Sequence, residues 1–190
     1  MKIGIDISQI VYQGGVSIYT QNLVNNLLKI SFKGRSASGW DKKNEYVLFF
    51  SSLRKKFPIS PSRLDPSLED NLQFPNESQT SIPNFKIKTF RIPPTILELL
   101  WNKWHFLSVE RFIGPIDVFH SSDWTQPPTK KAKKVTTIHD LSFLRWPNTV
   151  HPKVLEVQKR RLGWVKKETD HIIAVSQTTK QEIVSLLEIN

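Results

Sequence analysis

The chain of 190 residues has the length of one domain, and its 38% hydrophobic and 23% charged residues permit a packed core and exclude wholesale disorder. It contains no cysteine, which excludes disulfides and thiolate metal sites, and no apolar run of about 18 residues that could span a bilayer. The formal net charge of +10 favours anionic partners such as nucleotides, phospholipid surfaces or nucleic acid, without choosing among them.

The first half of the chain predicts three strands, with one helix between the first two. The apolar segments KIGIDIS, EYVLFFS and FKIKTFRI predict strands over 2–8, 45–51 and 85–92. Apolar residues spaced by three or four predict a helix over 15–31. Residues 52–84 contain five prolines among scattered polar residues, which predicts a long irregular segment that is mobile in part.

The second half continues the alternation. Pro94 precedes a predicted helix over 95–112. A last helix is predicted from Thr179, because Thr179 and Glu182 match the capping-box pattern. Strands that alternate with helices and form continuous apolar runs indicate an α/β fold with a parallel sheet covered on both faces. The remaining predicted elements are a helix over 153–168 and strands over 116–120, 134–139 and 171–176.

The loop after the first strand is the first candidate site, since ligands of such sheets bind outside the carboxyl ends of the strands. It ends at Gly14 and Gly15, where the backbone can come close to a ligand and the next helix points free N–H groups at the same space. The loop therefore predicts a phosphate or sugar-hydroxyl site, with a plain turn as the alternative. It matches neither the dinucleotide fingerprint nor the P-loop.

Two histidines and one serine end three later strands, in the segments IDVFH, TTIH and IIAVS. Histidine donates or accepts hydrogen bonds near pH 7, which makes His120 and His139 candidate catalytic residues. Asp140 could orient His139 or bind a hydroxyl. The alternatives are structural histidines and a turn-capping aspartate. No H-E-x-x-H or similar cluster and no G-x-S-x-G occurs, so neither a metal site nor an esterase-type hydrolase is expected.

Four segments resemble the N-terminal half of a family 4 retaining glycosyltransferase with the GT-B architecture. They are GIDIS with GGVSIYTQNLVNNL, DVFHSSDWTQPP, TIHDLSFLRWPNTVHP and DHIIAVSQTTKQEI, in the family's order. The resemblance implies that residues 1–190 form one Rossmann-like domain on the acceptor side. It also implies that the C-terminal GT-B domain, which binds the nucleotide-sugar, is absent from this chain. The isolated chain is then expected to be inactive.

The resemblance also implies an activity and its site residues. The donor substrate is a nucleotide-sugar, no cofactor is required, and the acceptor is a glycan or a lipid-linked molecule of cell-envelope polysaccharide synthesis in the cytoplasm. Ile18 and Ser17 stand where the family often has Arg and a second Gly, and a phosphate contact from this segment is left open. The implied roles are catalysis for His139, Asp140 and His120, and binding of donor or acceptor for Gly14, Gly15 and Ser176.

Two further functions stay open at this point. A basic α/β module could bind nucleic acid or other anions without catalysis, although no recognised nucleic-acid signature occurs and the strand-end histidines would have no role. A scaffold could keep the fold without catalysis. A separate question concerns Trp101, Trp104 and Phe106, which indicate a core helix or an interdomain contact. The alternative is insertion beside the basic clusters into an anionic surface at the inner face of the membrane.

Overall fold

A six-stranded parallel sheet forms the centre of the computed structural model, which describes residues 1–33, 44–57 and 85–189. The spatial strand order is β3-β2-β1-β4-β5-β6, so the direction of winding reverses between β1 and β4. All neighbouring strands pair in parallel, which confirms the predicted Rossmann-like α/β fold. The strands are β1 Lys2–Asp6, β2 Glu45–Ser51, β3 Phe85–Phe90, β4 Val118–Ser121, β5 Lys133–Ile138 and β6 His171–Ala174.

Helices cover both faces of this sheet. Strand β2 explains why the strands are apolar throughout: Leu48 and Phe50 pack in the cluster on the α1 side, whereas Val47 and Phe49 pack with Trp101 on the other side. A third cluster joins β5 to the last two helices. The helices are α1 Gly15–Lys33, α2 Pro94–Glu98, α3 Glu110–Ile113, α4 Ser142–Arg145, α5 Pro152–Glu168 and α6 Gln177–Leu187, with 3₁₀ turns at Ser8–Val11 and Pro147–Thr149.

The predicted single helix over 95–112 is wrong. Helix α2 ends at Glu98, and Leu99–Lys103 forms a π-helical turn. His105 and Leu107 then take left-handed backbone conformations, with φ of 50° and 70°. Non-glycine residues adopt such conformations only where the surroundings compensate for the strain.

Tertiary contacts of the π turn provide that compensation. Trp101 is fully buried, and its Nε1 donates a hydrogen bond of 2.9 Å to the carbonyl of Leu107. The ring of His105 stacks on Trp164 of α5 with 3.6 Å between ring centroids, and its Nε2 lies 2.9 Å from a carboxylate oxygen of Glu168. Burial of one indole and stacking of one imidazole therefore override the helical pattern of the segment.

The start of the last helix also differs from the prediction. Helix α6 begins at Gln177, and its N-cap is Ser176, whose Oγ accepts a hydrogen bond of 3.0 Å from the backbone N–H of Thr179. The capping box at Thr179 and Glu182 is therefore wrong. The hydroxyl of Thr179 instead donates to the carbonyl of His139 at 3.2 Å and joins α6 to the end of β5. Strand β6 accordingly ends at Ala174, before the cap.

Two other boundaries move for local reasons. The first strand ends at Asp6 and not at residue 8, because Oδ1 of Asp6 accepts a hydrogen bond of 2.9 Å from the N–H of Ser8, where a 3₁₀ turn begins. His120 lies within β4, one residue before its end. Of the segment 52–84 that was predicted to be irregular, residues 52–57 contain neither helix nor strand, and residues 58–84 lie outside the described residues.

Candidate functional site

A cavity of about 420 Å³ lies where the strand order reverses, at the carboxyl ends of β1 and β4. This is the position at which parallel α/β sheets bind ligands, and the volume is in the range of small-molecule sites. The walls come from the 3₁₀ turn after β1, the first turn of α1 and the loop after β4. Polar lining residues include Asp6, Gln9, Tyr12, Ser122 and Asp123.

A narrow cleft containing both predicted histidines adjoins this cavity and shares Asp6, Ser122 and Asp123 with it. Nε2 of His120 lies 2.9 Å from Oγ1 of Thr137, which is also 3.1 Å from the hydroxyl of Tyr19. The ring of Tyr19 meets that of His139 edge to face, with 5.0 Å between centroids. One hydroxyl and one phenol ring therefore bring His120 and His139 together across β4, β5 and α1.

Both histidines are neutral at pH 7. Burial, together with the positive charge of Arg161 and the proximity of His139, lowers the pKa of His120 to about 4. Burial also lowers the pKa of His139, which is half-buried, while the carboxylates of Asp123 and Asp140 act in the opposite direction. A neutral imidazole can donate one hydrogen bond and accept another, which suits a residue that must hold a hydroxyl.

A buried cation lies below this cleft. Arg161 of α5 is 2% exposed, and its Nη2 donates to Oγ1 of Thr136 at 2.8 Å and to the carbonyl of Thr137 at 3.4 Å. Burial lowers its pKa to about 10, against the attraction of Asp123, so the guanidinium stays charged at pH 7. Burial raises the pKa of Asp123, and the positive charge of Arg161 opposes this rise.

Three residues of the site, Asp6, Asp123 and Arg161, were not predicted from the sequence. Arg161 was hidden in the basic run Lys159–Arg161, which has the composition of a solvated helix face. The spacing along the helix could have identified it, because Arg161 lies four residues after the buried Val157 and four before the buried Val165, on the same face of α5.

The two predicted glycines differ in their conformational need. Gly14 has a φ of +125°, which L side chains rarely adopt, whereas Gly15 begins α1 with ordinary geometry. A Cβ at either position would meet open space. Their neighbours Gln13 and Val16 line the cavity. The turn therefore requires Gly14, and contact of both glycines with a ligand stays a prediction.

Asp140 and Ser176 already have structural partners at this edge of the sheet. Oδ1 of Asp140 accepts hydrogen bonds from the backbone N–H and the hydroxyl of Ser142, at 3.0 and 2.6 Å, which is a turn-capping arrangement. Ser176 caps α6. Both residues are exposed. The second carboxylate oxygen of Asp140 and a remaining lone pair of the Ser176 hydroxyl are available to a ligand, and such a role stays a prediction.

Within 1–33, 44–57 and 85–189, no group of three or more His, Asp or Glu side chains has the arrangement of a metal site. In the same part of the chain, no helix combines the length and apolarity needed to cross a membrane.

Comparison with known proteins bears on the whole arrangement. No curated protein matches the chain. The family model of Glycosyltransferase Family 4 matches residues 57–190, which contain strands β3 to β6 together with His120, His139 and Arg161. Because this match spans well over half of the chain, the protein belongs to Glycosyltransferase Family 4.

Proposed function

We propose that this chain is the acceptor-side domain of a retaining glycosyltransferase. In this proposal the enzyme moves a sugar from a nucleotide-sugar to a glycan or lipid-linked acceptor of cell-envelope polysaccharide. The supporting observation is the meeting of His120, His139 and Asp123 beside the cavity at the strand-order reversal, in a member of this family. We further propose that a C-terminal GT-B domain binds the donor opposite this cavity, and that no cofactor takes part.

His139 positions the attacking hydroxyl of the acceptor. It follows β5 directly, remains partly exposed in the cleft beside the cavity, and carries a neutral ring that can accept a hydrogen bond from a hydroxyl. The edge-to-face contact with Tyr19 limits rotation of the ring. His120 acts through Thr137 and Tyr19 and is therefore a positioning residue.

The transfer step is balanced without a protein base. The bond between the anomeric carbon and the phosphate oxygen breaks, and the bond between that carbon and the acceptor oxygen forms on the same face of the sugar. The proton of the acceptor hydroxyl moves to the departing phosphate oxygen. Placement of the acceptor and stabilisation of charge then supply most of the rate enhancement.

Peripheral contact with the inner face of an anionic membrane is part of the proposal. Trp104 and Phe106 are each 62% exposed and follow directly on the exposed Lys103. Aromatic rings beside a basic residue suit the interfacial region of a bilayer. A membrane-bound location fits a lipid-linked acceptor.

Reconstitution tests the proposed activity. The chain would be expressed together with the coding sequence that follows it, whether fused or separate, and incubated with radiolabelled nucleotide-sugars and a lipid and glycan extract. We expect label in the extract, and a loss of well over tenfold with His139→Ala, since the acceptor hydroxyl loses its hydrogen-bond partner. His171→Ala is the matched control, because His171 is an exposed histidine at the start of β6 and should leave the rate unchanged.

Two results would overturn parts of this proposal. An unchanged rate with His139→Ala would remove His139 from the mechanism. Salt-sensitive binding of a labelled oligonucleotide, with no sugar transfer, would instead support a basic module that binds nucleic acid without catalysis.

A further inference from the structure

A second groove, of about 260 Å³, opens at the carboxyl ends of β2 and β3. This basic groove carries four cationic side chains: Arg54, Lys55, Lys56 and Arg91. No acidic residue is among the described residues that line it. Its remaining walls are largely aromatic, from Phe50, Phe57 and Phe90. A concave surface with one sign of charge and apolar walls concentrates ions of the opposite sign.

The backbone of the basic groove is tied to the sheet and to the neighbouring cavity. The N–H of Ser52 donates to the carbonyl of Phe90 at 3.2 Å, and Oγ of Ser52 accepts from the N–H of Lys55 at 3.1 Å. Nζ of Lys55 donates to the carbonyl of Val11 at 2.6 Å and lies 4.8 Å from the ring centroid of Tyr12. Tyr12 lines the larger cavity, so the two depressions share a wall.

None of the four cations has an acidic partner among the described residues. In the part of the chain that the structure describes, the side chains of Arg54, Lys56 and Arg91 form no hydrogen bond and no ion pair. Some other basic side chains are paired with carboxylates, for example Arg160 with Glu98 at 2.6 Å and Lys166 with Glu188 at 2.8 Å. Cations that repel one another around a groove without acidic residues are stabilised by a bound anion, and phosphate accepts several charge-assisted hydrogen bonds at once.

We propose that the basic groove binds a phosphate or diphosphate group of the acceptor while the acceptor hydroxyl lies in the adjoining cavity near His139. The inference rests on the proposed function and adds the chemical class of the acceptor, a phosphorylated molecule. The two depressions are separated only by the contact of Lys55 with Tyr12, and in this proposal they are two parts of one ligand site. The aromatic walls suit an apolar group next to the phosphate.

Titration of the full chain with inorganic diphosphate tests the site, by calorimetry and by amide chemical shifts of residues 52–57 and 91. We expect saturable binding that the triple variant Arg54→Gln, Lys56→Gln, Arg91→Gln weakens by about tenfold or more. The matched control removes three other exposed lysines with the substitutions Lys130→Gln, Lys131→Gln and Lys159→Gln. It has the same net charge and should change the affinity less than about twofold. Equal weakening by both triples, or no binding to the unmodified chain, would overturn the proposal.

Vesicles separate the two sources of phosphate. We call the variant Arg54→Gln, Lys56→Gln, Arg91→Gln the groove triple. If the groove holds a lipid phosphate, the fraction of protein that sediments with phosphatidylcholine vesicles containing phosphatidic acid should be lower for the groove triple than for the control triple. Equal sedimentation of both triples, with diphosphate binding lost only in the groove triple, supports a soluble phosphorylated acceptor. Diphosphate binding is measured without sugar transfer. If the chain transfers sugar but diphosphate does not bind at the basic groove, this inference alone is refuted. If diphosphate binds there but no sugar is transferred, the proposed function alone is refuted.

Discussion

His120 and Thr137 are joined by a hydrogen bond of 2.9 Å between Nε2 and Oγ1, and this bond holds the imidazole of His120 against β5. The second ring nitrogen, Nδ1, is buried and has no hydrogen-bond partner among the described residues. A second proton would give this ring a positive charge, which would be poorly solvated and close to the guanidinium of Arg161. The pair is therefore built for a neutral histidine, and the stability of the fold depends on that neutrality.

Acidification is expected to destabilise the protein through His120. The pKa of His120 is about 4 in the folded state and 6.5 ordinarily, so between these values the unfolded chain binds a proton that the folded chain does not. The stabilising contribution is complete above pH 6.5 and is lost as the pH falls toward 4. At pH 5 the loss in free energy of unfolding is on the order of 2 kcal/mol. Urea unfolding at pH 7.5 and pH 5 measures it.

The variant His120→Asn isolates this effect from the other buried groups. Its amide does not titrate, and urea unfolding at pH 7.5 gives the separate cost of losing the bond to Thr137. Burial raises the pKa of Asp6 and of Asp123, so these carboxyls bind protons in the folded state and oppose the effect of His120 as the pH falls. Their contribution is common to both proteins. The pH-dependent loss should therefore be smaller in His120→Asn, and identical losses would contradict the assignment.

Replacement of Arg161 by Gln is expected to change the pKa values around it. Loss of the positive charge removes repulsion from His139, so the pKa of His139 rises, and removes attraction from Asp123, so the pKa of Asp123 rises as well. NMR titration of the His139 ring measures the first change. Urea unfolding should show a loss of about 1–3 kcal/mol, since the bond to Thr136 is broken.

Lys159→Gln is the control for this experiment. It removes one positive charge from the exposed face of the same helix and should leave both the titration of His139 and the stability unchanged. If the two variants titrate alike, the charge of Arg161 does not act on the candidate site.

The paired substitutions Gly14→Ala and Gly15→Ala separate a structural glycine from one kept for a ligand. Gly14→Ala is expected to cost about 1–3 kcal/mol, because a side chain is strained at a φ of +125°. Gly15→Ala should change stability by less than about 0.5 kcal/mol, because its Cβ meets open space. Thermal unfolding measures both. An equal cost for the two would show that strain at Gly14 does not set its identity.

The sheet could be predicted from the sequence because each strand is a short apolar run whose residues face helices on both sides. Leu48 and Phe50 meet α1 while Val47 and Phe49 meet the segment of Trp101, and a run without polar interruption is what such a strand needs. Strand ends also carried information. His120 and His139 were both predicted at the carboxyl ends of strands, and Thr137 and Tyr19 connect them in the structure.

The features that the sequence did not predict depend on contacts between distant segments. The break after α2 depends on Trp101 and Leu107, which bond across the π turn, and on the stacking of His105 on Trp164. The burial of Arg161 depends on a partner 25 residues earlier, Thr136. Secondary-structure propensity and hydrophobic periodicity depend on residues that are near in sequence, so they do not predict partners that are distant in sequence.

The surface of Trp104 and Phe106 yields the last prediction. The left-handed residues His105 and Leu107 alternate with these two aromatic residues, and the buried contacts of His105 hold the strained backbone in place while both rings point to solvent. The double variant Trp104→Ala, Phe106→Ala therefore loses little packing, and its free energy of unfolding should change by less than about 0.5 kcal/mol. Binding to anionic vesicles should fall by about fivefold or more, since two interfacial aromatic rings are lost.

Co-sedimentation with phosphatidylcholine vesicles, with and without phosphatidylglycerol, measures this loss. Trp146→Ala is the control, because Trp146 is 55% exposed and follows α4, beyond the carboxyl end of β5. Trp104 and Phe106 flank His105, whose partner Glu168 binds Lys134 near the start of β5. The two aromatic surfaces thus lie at opposite edges of the sheet. Equal loss in both variants would mean that exposed indole rings bind vesicles without regard to position, and no loss in either would leave the basic residues alone to hold the protein at a membrane.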